Sequence, residues 1–212
     1  MIDDTTKPAL AILQPDWDSI RPANVDALMT LRAGGVSSGP FGDKDGIGGF
    51  NVGIYTGDVP VCVNMNRNLA AQLVPTDPKW LKQVHGDRVV DAETAAPEEE
   101  ADASTSITPN VVCVVQVADC LPVLIAEKNG KGVAAVHCGW RSLAAGILQK
   151  TIERLRKRIG DPDAQFIAWL GPRIGDAALV TGRVLLEAIT TLMAAQACAL
   201  TAHQYDNILI EL

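Results

Sequence analysis

The sequence predicts a mixed β-sheet with helices packed on it, in the α+β or α/β class. Three observations carry that expectation. Apolar runs of strand length crowd the stretch from Val111 to Pro172. An Asn-Gly pair at 129–130 separates two of them, the signal of a tight hairpin. A stretch with helical apolar spacing then precedes the next run, so the order is strand, hairpin, helix, strand.

Taken in chain order, residues 30–60 are rich in glycine, "TLRAGGVSSGPFGDKDGIGGFNVGIYTGD", and read as loops between short strands. Such a stretch is either a flexible surface connection or a loop lining a site. Residues 62–73 form a helix, with Leu69 and Leu73 at i, i+4. Trp80–Val84 and Arg88–Val90 are short strands flanking His85-Gly86-Asp87. Residues 91–110, with "APEEEADAS", read as a solvated acidic connection. Val111–Val117, Leu121–Glu127 and Gly132–His137 are buried strands. Leu143, Ile147, Ile152, Leu155 and Ile159 then mark one helix face, ended by Gly160 and Pro162. Residues 165–172, "QFIAWLGP", are a further strand and its exit.

Composition bounds the function. The 212 residues suit a single domain, and 48% hydrophobic against 20% charged residues supports a packed core. The net charge of −7 argues against general nucleic-acid or anionic-membrane binding, which need a basic face. The start, MIDDTTKPAL, has no secretory-signal character. Gln116 and Asp119 interrupt the longest apolar run, which is no membrane span. Five cysteines without a CxxC pair point to a reducing cytoplasm.

The hairpin yields a geometric expectation. A two-residue Asn129-Gly130 turn sets His137 opposite Pro122 and Cys120 opposite Gly139. Cys120 and His137 are then diagonal neighbours on one face, about 7–8 Å apart at Cα. The bland account is a buried thiol beside a core histidine. Two chemical accounts compete with it. One is a Cys120 nucleophile with a His137 base. The other is a metal site with His85 as third ligand, two imidazoles and a thiolate leaving zinc one open position. Asp119, at the break between two apolar strands, is a candidate to orient a ligand. The third histidine, His203, reads as an exposed loop residue.

The motifs "KQVHGDRVV", "VADCLPVLIA", "AAVHCGWRSLAAGI" and "AWLGPRIG" follow one another, after "TLRAGGVSSGP", "FNVG" and "NMNRNLAAQL". Over residues 28–175 the chain resembles the bacterial laccase-domain, or polyphenol-oxidase, family, whose members are also described as purine nucleoside phosphorylases. The resemblance implies an α+β fold of two β-sheet layers between helices (α/β/β/α). It implies zinc on His85, Cys120 and His137. It further implies phosphorolysis of adenosine, inosine, guanosine and methylthioadenosine, and deamination of adenosine. Copper laccase chemistry is disfavoured, because it needs about ten histidines and this chain has three.

A phosphate site is expected at Gly139-Trp140-Arg141, where a guanidinium meets the start of a helix. Arg67 and Arg32 are further anion candidates, and Asn51 and Gln83 candidate substrate contacts. The expected partners are purine nucleosides and phosphate, with homo-oligomerisation left open. Three departures from the family pattern stand out. Cys138 replaces the usual alanine and is expected to pack facing away from His137. Ser142 replaces glycine and is expected to cap the helix. The chain is also expected to be short at its C-terminus relative to the family, which leaves a non-catalytic binding protein as a rival expectation.

Overall fold

The computed structural model describes residues 10–17 and 19–173, and the backbone of 208–211. Among the described residues, twelve strands and three α-helices follow in order. They are β1 (Ile12–Leu13), β2 (Asp26–Thr30), β3 (Ala33–Ser37), α1 (Pro60–Ala71), β4 (Leu81–Lys82) and β5 (Val89–Asp91). Next come β6 (Glu99–Glu100), β7 (Ala103–Ser106), β8 (Val112–Val115), β9 (Leu121–Glu127) and β10 (Val133–Cys138). The chain continues through α2 (Trp140–Ala144), α3 (Ile147–Ile159), β11 (Phe166–Leu170) and β12 (Ile208–Glu211).

Two sheets carry the fold. One has the order β1-β2-β12-β8 and the other β11-β9-β10-β7-β5. In the second, β5 and β7 run parallel while the other pairs are antiparallel, so the sheet is mixed. Alternation along β9 and β10 assigns each face. Val123, Ile125, Ala134, Val136 and Cys138 pack with Leu143, Ile147, Ile152 and Leu155 of α2 and α3. Leu124, Ala126, Val133 and Ala135 pack with Met29, Cys113 and Val115 of the facing sheet. Beyond that sheet, Val112 and Val114 pack with Ala70 of α1 and with Phe50. The layers are therefore helix, sheet, sheet, helix, the α/β/β/α arrangement of an α+β fold.

The expected hairpin register is present, with His137 opposite Pro122 and Cys138 opposite Leu121. The turn is longer than two residues, and the Glu127 N–H donates to the Gly132 carbonyl at 2.8 Å. Register survives because the buried Glu127 carboxylate accepts from the Asn129 and Lys131 N–H groups at 2.9 and 3.1 Å, closing the turn. Cys138 sits in the helix-side core, facing away from His137 as expected, and burial pushes its thiol pKa well up.

Three local expectations are corrected. Residues 91–110 are not a solvated connection, because Ala101 to Ser106 are buried and β7 lies between β10 and β5. Small side chains fit there, and Thr105 and Ser106 are paired. The Thr105 hydroxyl donates to Asp91, Ser106 to Glu93, and Arg158 reaches both acids. The helix read through Leu143 and Ile159 is broken in two at Gly146, whose φ of +81° suits glycine. Leu143 and Ile147 still bury on one side. Gly139, not Ser142, is the N-cap of α2, and Ser142 lies buried within that helix.

The glycine-rich stretch is pinned rather than loose. Buried Asn66 of α1 donates to the Ser37 hydroxyl and the Asn51 carbonyl, and accepts from the Val36 N–H at 2.9 Å.

Candidate metal centre

His137 is the last odd-numbered residue of β10, on the face whose earlier members, Val133 and Ala135, meet the other sheet. It therefore caps the open end of the inter-sheet layer. Its Nδ1 donates to Asp102 Oδ1 at 2.8 Å, which turns Nε2 outward. Cys120 precedes β9 on the same face. Its Sγ lies 3.7 Å from His85 Nε2. The rings of His85 and His137 meet edge to face, 4.7 Å between centroids.

His85 holds a left-handed backbone, φ +59°, which a non-glycine residue adopts only when held there. The holder is Asp102. Its carboxylate accepts from the N–H groups of Val84, His85 and Gly86 at 3.2, 2.9 and 2.7 Å. Asp102 is fully buried on the residue just before β7. Burial raises its pKa, but the His137 bond and the Gly86 and Val84 N–H groups outweigh that and hold it below the ordinary value. His137 is the counterpart. Burial lowers its pKa, yet Asp102 and Cys120 raise it to about 9. Burial, then the neighbouring His137, lowers that of His85.

The donor atoms of His85, Cys120 and His137 lie within 4.8 Å of one another. Zinc–nitrogen bonds of about 2.1 Å and zinc–sulfur bonds of about 2.3 Å at tetrahedral angles imply N···S separations of about 3.6 Å. The observed 3.7 Å between His85 and Cys120 fits that geometry without rearrangement. Two imidazoles, one thiolate and an outward open side make a three-ligand set with room for a substrate or water. The tight approach depends on Gly139. A Cβ there would lie 2.8 Å from His85 Cδ2 and 3.3 Å from Cys120 Sγ.

The other candidates separate. Arg141 is exposed on α2, its guanidinium 5.2 Å from the Trp140 ring centroid, and its charge lowers the His85 pKa. It forms no ion pair among the described residues. The helix behind it has only five residues, so the side chain rather than a helix dipole supplies the positive charge. Asp119 is exposed, and the ligand-orienting bond expected of it belongs to Asp102 instead. Arg67 is committed elsewhere: it pairs with Glu98, donates to the Val52 carbonyl and lies over Trp80. Arg32 donates to the carbonyls of Gly42 and Pro40 and ties down the glycine-rich loop. Asn51 is bonded to Thr56, Asp58 and the Gly53 N–H. Gln83 clamps both backbone groups of Gln116 at 2.7 Å, joining the His85 loop to the approach to Cys120. His203 lies outside the described residues. The residue missed from sequence is Asp102. Its signal was an acid flanked by Ala101 and Ala103, in a run that is polar in composition but buried in the fold.

A family profile described as multi-copper polyphenol oxidoreductase laccase matches residues 26–212. The chain belongs to this family. Curated relatives include a Pseudomonas aeruginosa protein named purine nucleoside phosphorylase, 42% identical over 84% of this chain and 68% of its own length. A protein of Escherichia coli K12, also named purine nucleoside phosphorylase, is 39% identical over 91% of this chain and 75% of its own. Among solved structures, a Neisseria meningitidis protein matches with a TM-score of 0.75 at 30% identity, covering 94% of this chain and 97% of its own. A Bacillus licheniformis structure, TM-score 0.76 at 19% identity, shares the fold. Copper in the profile's description does not alter the count of three histidines. Among the described residues, no helix is long and apolar enough to cross a membrane.

Proposed function

We propose that this chain is a zinc-dependent purine nucleoside phosphorylase that also deaminates adenosine. The observation that carries the proposal is the convergence of His85, Cys120 and His137 beside Arg141, which forms no ion pair among the described residues. The names of its relatives support the substrate class. In phosphorolysis, an oxygen of hydrogen phosphate bonds to ribose C1′ as the C1′–N9 bond breaks. The purine leaves with that electron pair, and the proton of hydrogen phosphate balances it at nitrogen.

Arg141 offers an exposed guanidinium that can hold phosphate by paired hydrogen bonds. His85, Cys120 and His137 would hold zinc, which supplies Lewis acidity and an activated water at the reacting end. Asp102 keeps the His137 Nε2 directed outward by occupying Nδ1. Gln83 keeps the His85 loop against the segment leading to Cys120. Deamination would replace the 6-amino group of adenosine by water, releasing ammonia. The substrates are adenosine, inosine, guanosine and methylthioadenosine. Free thiols at Cys62, Cys113, Cys120 and Cys138 suit a reducing cytoplasm.

Chromatography of adenosine incubated with and without phosphate tests the proposal, with Cys120→Ala as control. Phosphate-dependent adenine release, lost in the variant, is the expected outcome. No phosphate-dependent cleavage of any purine nucleoside sinks it.

One observation favours a second reading. Asp102, His137 and Cys120 stand in the order orienter, base, nucleophile of a Cys–His hydrolase. Metal analysis separates the two. About one equivalent of zinc, lost in His85→Ala, supports the metal site. Zinc-free protein that alkylates at Cys120 supports the hydrolase.

A further inference from the structure

We infer that Asp102 is the positioning residue that assembles the metal centre before any metal arrives. It does so by tying both histidines to one carboxylate. The inference rests on the reading of His85, Cys120 and His137 as metal ligands.

The two histidines come from different parts of the fold. His137 is on a central strand, while His85 is on a loop after the edge strand β4. Nothing in either segment alone fixes their spacing. Asp102 spans it. Oδ1 accepts from the His85 N–H at 2.9 Å and from His137 Nδ1 at 2.8 Å. Oδ2 accepts from the Val84 and Gly86 N–H groups at 3.2 and 2.7 Å. The Asp102 backbone joins in, since its carbonyl accepts from the His137 N–H at 2.8 Å. One residue therefore sets the ring orientation of one ligand and the left-handed backbone of the other.

Three consecutive N–H groups aimed at one acceptor form a concave donor nest. A fully buried carboxylate filling it is satisfied on both oxygens, so the arrangement is rigid rather than costly. A ligand set already in place loses little freedom when the ion binds.

Asp102→Asn is nearly isosteric but cannot reproduce this. An amide has one acceptor oxygen. If its NH2 replaces Oδ2, it meets the Val84 and Gly86 donors. If it replaces Oδ1, it meets the His85 donor and forces His137 to accept at Nδ1. That second case places the proton on Nε2, the nitrogen needed for the metal.

The experiment compares wild-type protein and Asp102→Asn by zinc competition against a chromophoric chelator. Cobalt(II) substitution provides a spectrum of the coordination sphere. Expected is zinc affinity lower by about 10–100-fold. The thiolate-to-cobalt charge-transfer and ligand-field bands should also change, while far-UV circular dichroism stays native. A purely structural role would lower stability yet leave the cobalt bands of the folded fraction unchanged, and that result overturns the inference. So does unaltered zinc affinity in the variant. Wild-type protein that binds neither zinc nor cobalt overturns instead the metal reading beneath it. If the variant does not fold, long-range proton–nitrogen spectra of zinc-loaded wild type decide the matter. Protonated Nδ1 and unprotonated Nε2 on His137 are expected, and the reverse tautomer refutes the inference.

Discussion

Replacing Gly139 by alanine adds one methyl group at the tightest point of the site. The backbone there, φ −62° and ψ 155°, accepts alanine without strain, so the effect is steric. The new Cβ would lie 2.8 Å from His85 Cδ2, where ordinary contact begins near 3.4 Å. The ring must retreat by about 0.6 Å, and the Cys120 sulfur, at 3.3 Å, blocks the other side. Asp102 holds the His85 backbone, so the imidazole itself swings, toward the solvent where His85 is exposed. Metal–ligand distances tolerate only about 0.2 Å. Zinc affinity should therefore fall at least about tenfold, equivalent to about 1.4 kcal/mol. Metal-free stability should change by only about 1 kcal/mol, since alanine is merely a poorer N-cap than glycine. Competition titration with a zinc chelator and thermal unfolding under chelation measure the two quantities separately. Wild-type zinc affinity in Gly139→Ala would show that the crowded approach of His85 and Cys120 does not set the metal geometry.

Arg141→Ala should raise the KM for phosphate at least about tenfold and change the KM for nucleoside much less, as loss of a charge-assisted contact predicts; equal changes in both would count against a phosphate role. Gln83→Ala removes two hydrogen bonds to Gln116 and leaves that backbone unpaired, so denaturant unfolding should register a loss of about 1–3 kcal/mol. Acid unfolding should report on Glu93. Burial raises its pKa, but Arg158, the Ile107 N–H and Ser106 outweigh it and lower the value from 4.5 to about 2. Its stabilisation is complete above pH 4.5 and is lost as pH falls toward 2, by at most about 3 kcal/mol. Glu93→Gln should flatten that part of the stability profile, and an unchanged profile would refute the assignment.

The sequence by itself determined the central hairpin, its register and the shared face of Cys120 and His137. Those features depend on strand periodicity and one turn, and both act over a few residues. It also singled out His85 as the third donor and turned Cys138 into the helix-side core. Only the tertiary structure decided which acid serves the site. Asp119 is the neighbour in sequence, yet Asp102 holds His137, because β7 is inserted beside β10 and carries a polar-looking segment into the core. In the same way Arg67 and Gln83, open to substrate when read as isolated residues, are taken by Glu98 and by the backbone of Gln116. A buried donor or acceptor must be paired, and its partner here lies more than thirty residues away along the chain. Periodicity extends only along a single segment, so such pairings become determinate only when the layers close on one another.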